Sequence, residues 1–232
     1  MAKDVIIACD FASAAETLDF LAVFGEKRPF VKIGMELFYS EGPRIVRELK
    51  KRGHKIFLDL KLHDIPNTVK KAMRVLSGLD ADMTNLHAAG GSAMMEAALE
   101  GLTRPDGTRP ILIGVTQLTS TDTATMNREL LIPGDVKDAV KSYAANCARH
   151  GLDGVVCSPL EAGEVKALCG KDFLAVTPGV RFSDSEVGDQ KRVTDPRRAR
   201  ELGSDYIVMG RPITAAPDPR EAFDRALKEF IG

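Results

Sequence analysis

The chain has 232 residues, of which 44% are hydrophobic, so it can bury the core of one large domain. No apolar run approaches the roughly 18 residues that a membrane-spanning helix needs, and the N-terminus lacks the regions of a secretory signal. We therefore expect no membrane partner. A net charge of -1 and a pI near 6.4 argue against a nucleic-acid partner.

Apolar runs alternate with amphipathic helical patterns along the whole chain. The runs predicted as strands are residues 4–9, 30–33, 56–58, 82–86, 111–115, 154–157, 173–176 and 206–209. The first helix is predicted to begin at Ser13, whose side chain can cap it, with Glu16 three residues later. Eight strand–helix units predict a single (β/α)8 barrel domain over residues 1–232, with a doubly wound open sheet as the alternative.

Two predicted connections are too long to be simple turns. Residues 116–135 follow the fifth predicted strand, and residues 179–195 follow the seventh. Barrel enzymes build their active sites from the loops at the C-terminal ends of the strands. We therefore expect these two loops to cover an active site.

The four cysteines lie far apart, without the Cys-x-x-Cys spacing of metal or redox sites: Cys9, Cys147, Cys157 and Cys169. Cys147 and Cys169 fall on the apolar faces of predicted helices, which favours buried thiols over disulfides. Unpaired thiols are typical of a reducing compartment, so we expect a cytoplasmic protein.

The third predicted strand ends in charged residues. Asp59 and Lys61 are two positions apart, so their side chains leave the same face of a strand, while Leu58, Leu60 and Leu62 take the other face. In a closed barrel that face points inward, where charges are costly unless they are paired. Taken alone, the pair is compatible with a structural salt bridge.

Polar residues also stand at the ends of other predicted strands. The set comprises Asp10, Lys32, Asp59, Lys61, Asp64, His87, Thr116–Ser120, Arg181 and Arg211. So many charges over an apolar core predict an active site rather than a solvated surface. A cation site of Asp10, Asp59, Asp64 and His87 is an alternative, but the interleaved Lys32 and Lys61 already supply positive charge.

The ends of the last two strands predict a phosphate site. Barrels often bind phosphate in the loops after strands seven and eight, at the start of a short helix. Gly210 allows a close approach of the backbone, Pro212 suits a first helical turn, and the forked guanidinium groups of Arg181 and Arg211 match phosphate oxygens. The alternative is that both arginines are ordinary surface residues.

These segments resemble the orotidine 5'-phosphate decarboxylase family. The motif at residues 59–68, DLKLHDIPNT, is specific to it, and the resemblance continues at residues 9–10, 31–34, 87–91, 115–120, 178–181 and 210–213. The resemblance implies a barrel of the ribulose-phosphate-binding type that decarboxylates orotidine 5'-monophosphate (OMP) to UMP in the last step of de novo pyrimidine synthesis. It also implies that no metal or organic cofactor takes part.

The resemblance further implies roles for individual residues. Lys32, Asp59, Lys61 and Asp64 would form an alternating charged network, with Lys61 as the proton donor and Asp64 and Thr68 supplied by the other subunit of a homodimer. The implied substrate-binding residues are Asp10, Lys32, Asp59, Asp64, Ile65, Thr68, Thr119, Ser120, Pro178, Arg181, Gln190, Gly210 and Arg211.

Two other functions remain open at this point. A magnesium-dependent sugar-phosphate decarboxylase, such as 3-keto-gulonate 6-phosphate decarboxylase, resembles the chain in Asp-x-Lys-x-x-Asp, but carries a carboxylate where this chain has Lys32. A non-catalytic phosphate-binding barrel would need Arg181 and Arg211 but would not need Lys61 among carboxylates.

Overall fold

A computed structural model describes residues 3–184 and 194–232. Eight parallel strands form a closed barrel in which each strand pairs with its sequence neighbours and the last pairs with the first. The strands are β1 (Asp4–Ala8), β2 (Phe30–Ile33), β3 (Ile56–Leu62), β4 (Met83–His87), β5 (Ile111–Val115), β6 (Gly154–Val156), β7 (Leu174–Thr177) and β8 (Tyr206–Met209). The predicted (β/α)8 barrel is confirmed.

Helices surround the barrel and connect its strands. Those in the described residues are α1 (Ala14–Ala22), α2 (Met35–Glu41), α3 (Pro43–Lys51), α4 (Pro66–Ser77), α5 (Gly91–Leu102), α6 (Thr123–Arg128), α7 (Val136–Arg149), α8 (Pro159–Cys169), α9 (Pro196–Glu201), α10 (Arg211–Thr214) and α11 (Pro219–Ile231). None of these helices combines the length and the apolar character that crossing a membrane would require.

Two connections differ from their predicted form. Eight strand–helix units predict one helix after β2, but the region holds two, because Gly42 has a φ of 64° and Pro43 starts a new helix. The predicted loop over residues 116–135 contains the short helix α6. The Asp122 side chain starts α6 by accepting a hydrogen bond from the Thr125 amide.

Apolar side chains pack in two shells, inside the barrel and between the barrel and the helices. The inner shell consists of Ile6, Ala8, Phe30, Phe57, Met83, Ile113, Leu174, Val176, Tyr206 and Val208. Leu58 and Leu60 belong to the outer shell, and Leu62 packs against it. β3 therefore sends Phe57 inward and its leucines outward, as the alternation predicted.

Three aspartates at the N-terminal end of the barrel make the same set of contacts. Asp82, Asp153 and Asp205 each directly precede an even-numbered strand. Their carboxylates accept hydrogen bonds from the amides of Ile56 (2.7 Å), Leu112 (2.7 Å) and Ala175 (2.8 Å) on the preceding strands, and pair with Lys50, Arg109 and Lys166, respectively. Each carboxylate thus ties two neighbouring strands together.

The four cysteines are free thiols. Cys9, Cys147 and Cys157 are buried, and burial raises the pKa of both Cys9 and Cys147 to about 12. The prediction of a buried thiol is confirmed for Cys147, whereas Cys169 is only partly buried because it is the last residue of α8. The thiols of Cys9 and Cys147 are therefore protonated and unreactive at neutral pH.

Candidate active site

A continuous row of alternating charges crosses the C-terminal end of the barrel. The Lys32 ammonium lies 2.9 Å from Asp10 Oδ1 and 3.4 Å from Asp59 Oδ2. The Lys61 ammonium lies 2.7 Å from Asp59 Oδ1. The structure thus brings four predicted site residues from β2, β3 and the end of β1 into direct contact.

Both central members of the row are buried but stay charged. Burial opposes ionisation of Asp59, yet the neighbouring charges of Lys32 and Lys61 and hydrogen bonds from Lys61 and Asn85 hold its pKa below the ordinary value. Burial likewise opposes the charge on Lys32, but Asp59 and Asp10 raise its pKa. Asp59 and Lys32 therefore stay charged at neutral pH.

The backbone of β3 is irregular where the row ends. Leu58 pairs with Thr84 and Leu62 with Leu86, so four residue steps on β3 are matched by two on β4. Lys61 takes a left-handed conformation with a φ of 51°. Asp59 and Lys61 do face the same space, as predicted, but a regular strand does not bring them there.

Asn85 on β4 is a site residue that the sequence analysis missed. It is fully buried, donates a hydrogen bond to Asp59 Oδ1 (2.6 Å) and accepts one from the Lys61 amide (2.8 Å). The signal was present: alternation places Asn85 on the same inward face as Met83, and a polar residue there needs a partner.

A cavity of about 220 Å³ opens beside the charged row. Its walls contain Lys32, Phe57, Asp59, Lys61, Val115, Gln117, Leu118, Thr119, Ser120, Val156, Val176, Pro178 and Val208. The predicted residues Thr119, Ser120 and Pro178 thus share one cavity with the row. Gln117, which belongs to the predicted set Thr116–Ser120, is a further polar residue in its wall.

The residues that follow β3 lie outside the charged row. Asp64, Ile65 and Thr68 are exposed at the start of α4, and 67% of the Ile65 surface is accessible. The Asp64 carboxylate accepts a hydrogen bond from the Ile65 amide (2.6 Å), and within the described residues no ion pair joins it to Lys61. A single chain therefore does not bring Asp64 into the charged row.

The predicted phosphate-site residues lie at the ends of β7 and β8. Val180 pairs with Thr194, and the Arg181 amide donates to Thr194 O (3.0 Å), which closes the base of the loop after β7. Arg181 and Arg211 line one cleft.

Gly210 precedes α10, which has proline in its first turn, as predicted from Pro212. Gln190 lies outside the described residues.

His87, a member of the predicted set of strand-end residues, is the last residue of β4. Its ring lies 5.7 Å from that of His63, with the rings tilted against each other. Burial lowers the pKa of His87, and the nearby His63 and Lys61 add to this effect. His87 is therefore uncharged at neutral pH.

Within the described residues, no group of three or more His, Cys, Asp or Glu side chains is arranged to hold a metal ion.

One protein family and its curated members match nearly the whole chain. Residues 3–226 match the model of the orotidine 5'-phosphate decarboxylase / HUMPS family. Curated orotidine 5'-phosphate decarboxylases of Bacillus cytotoxicus and Bacillus cereus are each 54% identical over 235 residues, covering 100% of this chain and 99% of the relative.

Two solved structures are also similar to this chain over nearly its whole length. The orotidine 5'-phosphate decarboxylase of Lactobacillus acidophilus superimposes with a TM-score of 0.89 at 40% identity, covering 99% of this chain and 100% of the other. An uncharacterized conserved protein of Geobacillus kaustophilus has a TM-score of 0.87 at 50% identity, covering 97% and 99%. The chain therefore belongs to the orotidine 5'-phosphate decarboxylase / HUMPS family.

Proposed function

We infer that this protein is an orotidine 5'-phosphate decarboxylase, which converts OMP to UMP and CO2 in pyrimidine biosynthesis. The observation that carries the inference is the row of Asp10, Lys32, Asp59 and Lys61 beside a cavity at the C-terminal end of the barrel. The 54% identity to proteins of that name supports the same reaction. We place the enzyme in the cytoplasm as a single domain over residues 1–232.

The substrate fits the site in three parts. Asp10 and Lys32 bind the ribose hydroxyls, because a carboxylate and an ammonium side by side can accept from and donate to vicinal hydroxyl groups. The pyrimidine enters the cavity beside Thr119, Ser120 and Pro178. The phosphate binds between the loops after β7 and β8, held by Arg181, Gln190, Gly210 and Arg211.

The reaction requires a cation next to the reacting carbon. Breaking the bond between C6 and the carboxylate releases CO2 and leaves an electron pair on C6, in an orbital that the ring π-system cannot delocalise. The Lys61 ammonium stabilises this charge electrostatically and then donates its proton to C6, giving UMP. Asp59 holds Lys61 in place through their ion pair.

We further propose that the site is shared between two chains of a homodimer. Asp64 is exposed and outside the row of its own chain, and the neighbouring Ile65 exposes an apolar side chain. In an isologous interface, Asp64, Ile65 and Thr68 of each subunit reach the site of the other. Asp64 then extends the row beyond Lys61 and helps to fix the ammonium.

Phosphate binding contributes to catalysis although it lies far from C6. Contacts to a remote part of a substrate can supply the free energy that closes loops over the reacting part. Of the two loops predicted over residues 116–135 and 179–195, residues 185–193 lie outside the described part of the chain. The described parts follow β5 and β7, beside the cavity and beside the cleft that Arg181 and Arg211 line. We propose that phosphate binding drives their closure, which excludes water from the cavity.

The direct test is release of CO2 from OMP by the purified protein, with and without EDTA. We expect release at the same rate in both conditions. Release that EDTA abolishes would instead indicate a magnesium-dependent decarboxylase of the same family. No release, with OMP or UMP still bound, would indicate a phosphate-binding barrel without catalytic function.

A further inference from the structure

The side chain of Asn85 bridges the two groups that the proposed reaction depends on. It lies on β4, opposite the stretch of β3 where four residue steps face two. The regular backbone ladder is interrupted there, and the Lys61 amide donates to Asn85 Oδ1 at 2.8 Å instead of to a backbone carbonyl of β4. The Asn85 side-chain amide therefore takes the place of a backbone peptide group in the ladder.

Both hydrogen bonds of Asn85 have a defined direction. A backbone amide can only donate, so the Asn85 oxygen must face Lys61. An ionised carboxylate can only accept, so the Asn85 nitrogen must face Asp59, to which it donates at 2.6 Å. Asn85 is fully buried, so solvent does not compete for either bond.

These two bonds determine where the Lys61 ammonium lies. Asp59 Oδ1 accepts from both Asn85 and the Lys61 ammonium, so the orientation of the carboxylate sets the far end of the lysine side chain. The bond to the Lys61 amide sets its near end and holds a left-handed φ of 51°, which a lysine rarely adopts. The side chain is thus fixed at both ends through one asparagine.

We propose that Asn85 is a positioning residue for decarboxylation, which places the Lys61 ammonium at C6 by holding both the Lys61 backbone and Asp59. The proposal rests on the function inferred above, in which Lys61 is the proton donor. Asn85 is not among the described residues that line the cavity proposed for the pyrimidine. Its removal should therefore affect the chemical step much more than substrate binding.

The first test compares Asn85→Ala with Thr84→Val. Thr84 is the buried neighbour of Asn85 on β4, and its hydroxyl donates to Leu58 O (3.0 Å) on the outward face. Asn85→Ala should lower kcat for OMP about 100-fold, as expected for a misplaced reacting group, and change KM less than about threefold. Thr84→Val should lower the thermal stability but keep kcat within about twofold.

The second test uses Asn85→Asp, which keeps the shape of the side chain. It tests the proposal even if Asn85→Ala does not fold. A carboxylate at this position can donate to Asp59 only when it is protonated. We expect its kcat relative to wild type to rise as the pH is lowered from about 8 to about 6. Lys32, Lys61 and His87 surround the position in both proteins, so their titration largely cancels in the ratio.

Three outcomes would overturn the proposal. They are a kcat of Asn85→Ala within about threefold of wild type, equal kcat losses in Asn85→Ala and Thr84→Val, and a pH-independent ratio for Asn85→Asp. Wild-type protein is assayed in parallel. An inactive wild type contradicts the proposed function and this inference together, whereas an active wild type with a normal Asn85→Ala contradicts only the role of Asn85.

Discussion

The two ends of the barrel use the same residue types for different purposes. At the N-terminal end, Asp82, Asp153 and Asp205 each bind one backbone amide and one cation. At the C-terminal end, Asp59 is bound by the side chains of Lys32, Lys61 and Asn85.

The difference separates structural ion pairs from functional ones. A carboxylate that accepts from a strand amide replaces hydrogen bonds that it had in water, and it ties two strands together. A buried row of side-chain charges costs desolvation and fixes no backbone pairing by itself. We propose that the charges of this row act on the substrate that enters the cavity. Contact with a strand amide therefore distinguishes the ion pairs of Asp82, Asp153 and Asp205 from those of Asp59.

The largest contrast is expected between two lysines, each of which pairs with an aspartate. Lys61→Ala should lower kcat for OMP by at least about 10⁴-fold, because it removes both the cation and the proton donor, while UMP still binds. Lys50→Ala, which removes the partner of Asp82, should keep kcat and lower the free energy of unfolding by about 1 kcal/mol. A Lys61→Ala protein with near-wild-type kcat would show that another group donates the proton.

A smaller contrast is expected between two arginines. Arg211→Ala should lower kcat/KM for OMP about 100-fold, because it removes charged hydrogen bonds to the phosphate worth about 3 kcal/mol. It should matter much less for orotidine, which has no phosphate. Arg109→Ala, which breaks the pair with Asp153 at the other end, should leave the ratio between the two substrates unchanged. Equal losses on OMP and orotidine would contradict a phosphate role for Arg211.

Gly34 tests how tightly the charged row is packed. A Cβ atom at this position would lie 3.2 Å from both Asp10 Oδ1 and the Lys32 ammonium, closer than most real contacts of this kind. Gly34→Ala should therefore push the pair apart and raise KM for OMP about tenfold, with little loss of stability because its φ of -88° suits alanine. Gly78→Ala, which also has an ordinary φ, is the control. An unchanged KM would place the ribose away from this pair.

The smallest effect is expected from pH. The pKa of Asp59 is lowered, so its contribution to stability is fully present above the unfolded value of 3.8 and is lost as the pH falls through the folded pKa. The pKa of Lys32 is raised, so its contribution is fully present below 10.5 and is lost above it. The difference in unfolding free energy between wild type and Asp59→Asn should stay constant from about pH 5 to 9 and shrink in stronger acid. A change within that range, measured by urea unfolding, would contradict the assigned pKa directions.

Much of the fold was predictable because its signals are local. Short apolar runs separated by helical patterns located all eight strands, and the bounds of β2, β5 and β8 match the predicted ones. The end of α2 at Gly42 and the start of α3 at Pro43 also have a local signal, the Gly-Pro pair. The apolar periodicity alone does not reveal it. The helix α6 is short and depends on the cap from Asp122, so it gives little periodic signal.

The site was predictable in composition but not in geometry. Alternation placed Asp59 and Lys61 on one face, yet their contact depends on the irregular pairing of β3 with β4 and on Asn85. Strand register joins residues that are distant in the chain, so no local pattern reports it. Asp64 lies outside the row of its own chain, and its proposed role depends on a second chain, which the spacing within one sequence does not describe.

The central claim is that Lys61 of one chain works with Asp64 of another, and subunit exchange tests it directly. Lys61→Ala dimers and Asp64→Asn dimers, both nearly inactive, are mixed in equal amounts and allowed to reassort. Half of the dimers should be mixed, and each should contain one site with an intact Lys61 and the partner's intact Asp64, so about a quarter of all sites should recover activity. If Asp64 served its own chain, every site would keep a lesion, and a mixture that stays inactive although mass analysis detects the mixed dimers would contradict the shared site.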